Sequence, residues 1–225
     1  MILDLIRGDG FSIDLIIGLF VRVFVIFCVL PIHEFAHAYV SHKLGDDTAR
    51  LSGRMTIAPM AHIDWFGALL MLLTGVGWAK PVPVNMRNFK MKNKKLGMAI
   101  SAFAGPLSNI IMAFFFMLIL AAIRTFVPVT DITQIIYSFV QVAASINVTL
   151  AVFNMIPVPP LDGSRLITLL IPDKYYYQVM KYERYILIVF MALILMGILD
   201  GPLEVISGYV YGFISSLASF PFRFF

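Results

Sequence analysis

Residues 11–30, FSIDLIIGLFVRVFVIFCVL, are almost wholly apolar and run straight into PIHEFAHAYV at 31–40. A helix needs about 20 apolar residues to cross the hydrocarbon core of a bilayer, so this run commits the chain to lipid. Two histidines and a glutamate then stand at the end of the same span. Composition agrees with a membrane solvent: 60% of the 225 residues are hydrophobic and 13% are charged, far from the balance of a soluble domain.

The sequence predicts an all-α polytopic membrane protein with about five full transmembrane helices, at roughly 11–39, 96–123, 132–153, 183–199 and 203–220. They form a single membrane-embedded domain over 1–225, with a motif-bearing core at about 11–170 and two additional C-terminal spans at about 183–220. Residues 65–78, WFGALLMLLTGVGW, would reach only about 21 Å as a helix, short of a core of roughly 30 Å. The following AKPVPVN holds two prolines, which forbid continuous helix and favour extended backbone. Residues 65–85 therefore read as a short re-entrant or extended element, tolerable only where protein shields its backbone.

Charge tests this layout. With loops 41–64, 80–95 and 163–184 and the C-terminus on one side, all Lys and Arg but Arg7, Arg22 and Arg124 fall there. The positive-inside rule makes that side cytoplasmic. A full crossing at 65–79 would instead separate Lys43, Arg50 and Arg54 from the basic patch Arg87, Lys90, Lys92, Lys94 and Lys95. The net charge of +4 reflects topology and not nucleic-acid binding. A signal peptide is not expected at MILDLIRGDG, because the apolar run after it is too long for an h-region. Cys28 is the one cysteine, which excludes an internal disulfide and a cysteine zinc cluster.

His33, Glu34 and His37 form HEFAH. Residues four apart share one helix face, so both imidazoles can reach one ion. Zinc takes imidazole nitrogen and four ligands, and Glu34 beside it can serve as a general base. The bland alternative is a helix end whose polar groups reach the interface. An ionised side chain at a span centre costs roughly 2.5–3.5 kcal/mol on insertion scales, so an unoccupied cluster would need other compensation. A third ligand is required, and Asp162 in NMIPVPPLDG is the candidate. It follows the third span at the depth of His33 and His37, about 125 residues away. From spacing alone it is equally an Asp-Gly turn.

Taken in order, HEFAHAYV, LGDDTARLSGRMTIAPMAHID, GWAKPVPVN, AGPLSN and FNMIPVPPLDG resemble the site-2 protease family of intramembrane zinc metalloproteases, in its compact prokaryotic branch without PDZ or CBS domains. The resemblance covers roughly residues 20–170. It implies His33, His37 and Asp162 as ligands of one Zn2+ per chain and Glu34 as the catalytic acid/base. It also implies that Asn154 helps hold the substrate or its oxyanion. Trp65, Ala58 and Ser164 depart from the family pattern, where Pro, Asn and Gly are usual; none is a proposed ligand.

The expected activity is hydrolysis of peptide bonds in membrane proteins with a transmembrane segment, using metal-activated water and Glu34 as general acid/base. The expected place is the cell membrane, multi-pass, with the site near the cytoplasmic face. The extended stretch at 81–85 could pair with an unwound substrate strand. A zinc transporter would need polar groups along a whole path, and one cluster does not supply them. A CAAX-type zincin would need a later helical glutamate, and neither Glu183 nor Glu204 lies in such a pattern. The alternative is an inactive family member serving as a zinc-binding scaffold.

Among the other polar residues, His42 and His62 read as interfacial hydrogen bonders. Arg22 reads as snorkelling or paired, with Asp14 a weak match. Asn109 and Asn147 read as interhelical hydrogen bonders, and the small residues Ser101, Ala102 and Gly105 as a close helix contact. The tyrosine run at 175–177 reads as an interfacial belt.

Overall fold

A computed structural model describes residues 13–75, 77–167, 169–172, 174 and 181–224. The side chain of Asp14 and the tyrosines at 175–177 lie outside the described residues. The described regular structure is entirely helical, as an all-α polytopic membrane protein requires.

The first span is α1 (Ile13–Phe24), a π-helical turn (Val25–Val29) and α2 (Leu30–Lys43) in unbroken succession. Pro31 explains the interruption. It has no N–H to offer the carbonyl one turn back, and the wider turn closes just before it, where the Leu30 N–H donates to the Val25 carbonyl. Such π turns absorb a break in the hydrogen-bond ladder without ending the helix. The HEFAH motif follows within the next turn and a half.

After the short α3 (Thr48–Leu51) the chain enters α4 (Trp65–Thr74). Asp64 caps α4, its carboxylate accepting the Gly67 N–H at 2.9 Å. Gly75 ends it with φ +86°, a conformation glycine reaches without a Cβ penalty. Ten residues give about 15 Å, so α4 does not cross. The chain then folds back along it: a Cβ on Gly77 would lie 2.2 Å from the Gly67 carbonyl oxygen. The Lys80 N–H donates to the His62 carbonyl at 2.8 Å, so the two ends of the excursion meet. Likewise the Lys90 N–H donates to the Leu44 carbonyl at 2.8 Å, which puts the loop after α2 and the basic patch at one end of the bundle, as charge predicted.

The central helix is α5 (Lys94–Phe126), capped by Asn93. It packs against α2, α6 (Asp131–Asn154), α7 (Asp162–Ile167) and α9 (Asp200–Ser219). Its first turns bury Gly97, Ala99, Ser101, Ala102, Ala104 and Gly105, and these small residues let α2 come close. Its second half buries Ala113, Met117 and Leu120 against Val140, Ala144 and Val148 of α6 and Ile214 and Ala218 of α9.

Four helical runs among the described residues are long and apolar enough to cross a membrane: Ile16–Lys43, Lys94–Phe126, Asp131–Asn154 and Asp200–Phe224. The remaining expected span is shorter. Helix α8 (Glu183–Leu195) is about 20 Å long and stops before Gly197, whose φ is +71°. Four such runs among the described residues, where five were expected, invert the side of the C-terminal helix. Phe222 packs against Phe126 at 6.1 Å between ring centroids, so the chain ends beside the far end of α5 and not beside Lys94. The expectation that the C-terminus shares a side with the basic loops is corrected accordingly.

Candidate metal centre

The basic end of the bundle brings three side chains together. On α2 the Nε2 atoms of His33 and His37 stand 3.1 Å apart. The Oδ2 of Asp162, the first residue of α7, lies 3.3 Å from each. His33, His37 and Asp162 are the group of potential metal ligands found among the described residues. Tetrahedral zinc with N and O ligands at about 2.0–2.1 Å holds its ligand atoms about 3.3 Å apart, so the triangle fits such an ion.

Local structure explains why these atoms face inward. The His37 Nδ1 lies 2.8 Å from the Ser101 carbonyl oxygen, an acceptor only. His37 therefore donates from Nδ1 and turns a lone pair at Nε2 towards the cluster. Gly105 leaves room for both rings: a Cβ there would lie 2.3 Å from the His37 Nε2. The Asp-Gly pair is equally constrained, since a Cβ on Gly163 would meet the Met155 carbonyl oxygen at 2.2 Å. The turn carrying Asp162 is thus folded onto the end of α6. His33 and His37 are buried, and the Asp162 Oδ2 is buried without an ordinary hydrogen-bond partner. Two imidazole lone pairs and a carboxylate oxygen in one buried spot repel one another unless a cation or protons lie between them.

Glu34 is not one of the converging ligands. Its Oε2 accepts the backbone N–H of Val82 at 2.9 Å. The extended stretch at 81–85 therefore runs past the HEFAH motif, and Val82 donates between two prolines that cannot. Asn154 ends α6 and donates to the Leu150 carbonyl of its own helix at 2.9 Å.

Asp46 had drawn no notice in the sequence. It is fully buried and accepts from the Asn85 N–H at 2.6 Å, the Asn88 amide at 2.9 Å and the Thr48 N–H at 3.1 Å, as well as the Thr48 hydroxyl. Burial would raise its carboxyl, yet these donors, Thr48 first, hold it below its ordinary value. Asp46 ties the loop after α2 to the stretch that carries Val82. Its only signal was an acid beside Gly45 at a helix end.

The other polar residues are mostly structural. His42 pairs with Asp47 at 2.6 Å and His62 with the Thr56 carbonyl at 2.7 Å, as expected of interfacial groups. Arg22 donates to the Leu72 carbonyl at 2.9 Å, so its partner is the end of α4. Asn147 bonds the Ala143 carbonyl of its own helix, and Asn109 is buried with neither amide atom partnered among the described residues. The expected interhelical bonds of these two asparagines are not formed.

Comparison with known proteins places this geometry. The profile described as Peptidase family M50 matches residues 123–197, a stretch that includes Asp162. The chain is 43% identical over 163 residues to "Putative zinc metalloprotease YwhC" of Bacillus subtilis (strain 168), covering 72% of this chain and 74% of that protein. It is 26% identical over 153 residues to "Putative zinc metalloprotease Rip2" of Mycolicibacterium smegmatis and 29% identical over 152 residues to the protein of the same name in Mycobacterium tuberculosis, covering 65% of this chain and 56% of each of those proteins. No solved structure matches the chain. Identity of this degree over most of both chains, with the profile match, shows that the protein belongs to peptidase family M50, the site-2 protease family its motifs resemble.

Proposed function

We propose that the protein is an intramembrane zinc metalloprotease that hydrolyses peptide bonds of membrane proteins with a transmembrane segment. The observation that carries this reading is the meeting of three ligand atoms, at 3.1 and 3.3 Å, from elements about 125 residues apart. His33, His37 and Asp162 would hold one zinc ion per chain. When bound, zinc acidifies water and polarises a peptide carbonyl.

The chain's own groups supply the rest. Glu34 takes the proton of the attacking water on a carboxylate oxygen and returns it to the leaving nitrogen. The Val82 N–H holds one of its oxygens and so fixes the direction of the other. The Ser101 carbonyl holds the His37 ring in one tautomer. Asn154 would hold the substrate or its oxyanion after releasing the Leu150 carbonyl. The stretch at 81–85 would pair with an unwound substrate strand; with the Val82 N–H given to Glu34 and the Asn85 N–H to Asp46, the Val84 N–H is the donor left for such a strand. The basic loops at the same end of the bundle support a site near the cytoplasmic face of the cell membrane.

The test is cleavage of a single-pass substrate by purified protein in vesicles. Glu34→Gln should retain zinc and lose about 10²–10⁴-fold in rate, the usual contribution of a positioned acid/base. Asp162→Ala should lose zinc. Unchanged proteolysis in Glu34→Gln would overturn the mechanism, and wild type that binds zinc without cleaving any substrate would support a scaffold instead.

A further inference from the structure

Polar groups that the metal centre does not use gather between α6 and α9. A cavity of about 540 Å³ opens there. Gln141, Ser145 and Thr149, four residues apart, form one stripe on α6, and Asp200, Glu204 and Ser207 of α9 line the same space. Both helices belong to runs long and apolar enough to cross a membrane. Ser145 is nine residues from the Asn154 end of α6, roughly 14 Å at 1.5 Å per residue. The groove therefore runs along α6 well away from its Asn154 end, between two candidate spans.

Two observations show that this space wants an occupant. Ser207 is nine-tenths buried and its Oγ has no hydrogen-bond partner among the described residues. Asp200 and Glu204 form no ion pair with a basic side chain among the described residues. Carboxylates in a span are costly and are kept where they meet a partner. Beside them, Gly208 and Gly212 form a GxxxG pair with nothing within 4 Å of an added Cβ. Glycines at that spacing let a second membrane helix approach to backbone contact.

We infer that the α6–α9 groove docks a transmembrane helix of a partner protein that carries a basic side chain inside the membrane. Glu204 is its counter-ion, Ser207 and Ser145 supply hydrogen bonds, and Gly208 and Gly212 are the contact surface. Charge selects this occupant over a second copy of the chain, whose own groove would bring further carboxylates.

The probe is a synthetic Leu/Ala helix of about 20 residues with one central lysine, mixed with the labelled full chain in phosphatidylcholine vesicles and read by energy transfer. The lysine peptide should associate about tenfold more tightly, near 1.4 kcal/mol, than the same peptide with leucine or glutamate. Glu204→Gln should erase the preference with zinc content unchanged, and Glu204→Lys should reverse it towards the glutamate peptide. Equal binding of the three peptides, or a preference that survives both substitutions, overturns the proposal. So does transfer between two labelled copies of the chain that Gly212→Leu abolishes.

Discussion

Asp46 and Asp162 are both aspartates largely withdrawn from water at the same end of the bundle, and they are solved differently. Asp46 accepts from Thr48, Asn85 and Asn88, so its charge is closed by protein donors. Asp162 turns one buried oxygen to two imidazole nitrogens and to nothing else. A carboxylate ringed by N–H and O–H donors is structural, because hydrogen bonds replace its lost hydration. A carboxylate facing lone pairs leaves room for a cation. The two sites are also joined: the stretch that Asp46 anchors at Asn85 carries Val82 to Glu34.

The comparison breaks most severely at Asp46. Asp46→Ala strands three or more donors in a buried spot, at about 1–3 kcal/mol for each group left unsatisfied. The expected outcome is a protein several degrees less thermostable in detergent, with zinc retained and cleavage reduced through the loosened 81–85 stretch. If Asp46 were a ligand, zinc would be lost instead. Acid gives the same test without mutation. The folded carboxyl is depressed, so its stabilisation is complete above its ordinary value of 3.8 and is lost as pH falls below it. Thermal melts of wild type and Asp46→Asn should differ in slope in that acid range and run parallel near neutrality.

A narrower cut is Val82→Pro. It removes one N–H and leaves a backbone that already alternates with proline. A hydrogen bond to a charged group is worth about 1.5–3 kcal/mol, so cleavage should fall roughly ten- to hundredfold while zinc content stays constant. Val84→Pro, which leaves the bond to Glu34 intact, should spare Glu34 and affect substrate pairing alone. Equal loss of zinc and cleavage in Val82→Pro would mean misfolding and would remove the positioning role.

What was legible in the sequence follows the reach of each signal. The i, i+4 histidines were readable because a helix fixes their geometry locally. The closeness of Asp162 was readable from depth along the spans together with the family's motif order, though spacing alone left ligand and turn evenly matched. The re-entrant element was readable from length, since the roughly 21 Å of helix that residues 65–78 allow falls short of the hydrocarbon core. The Val82 contact was not, because a backbone N–H carries no residue-type signal. Nor was Asp46, whose partners at Asn85 and Asn88 lie some forty residues away. The side of the C-terminus failed for another reason. Hydropathy over 183–199 measures compatibility with lipid and not continuity of helix, and Gly197 interrupts the run. With Arg223 the sole charge beyond Glu204, the charge rule had almost nothing to weigh there.

Arg22 offers the smallest and sharpest test, because it sits inside the first span and touches neither aspartate. Its guanidinium donates to Leu72 at 2.9 Å, at the end of α4 where carbonyls lack helical partners. A cation there also suits the negative end of a helix dipole. A membrane arginine is costly by itself, so replacing it could either relieve that cost or expose the carbonyl. Arg22→Leu removes the cost of the charge but leaves the Leu72 carbonyl without its donor. Arg22→Gln removes the charge and keeps an N–H of shorter reach. If capping dominates, Leu should lower stability by about 1–2 kcal/mol and Gln should recover part of it, with faster hydrogen exchange at the Gly75 and Thr74 amides in the Leu variant. If the cost of the charge dominates, Leu will be the more stable of the three. The sign of one melting-temperature difference thus decides whether the arginine holds the re-entrant helix or merely tolerates its place.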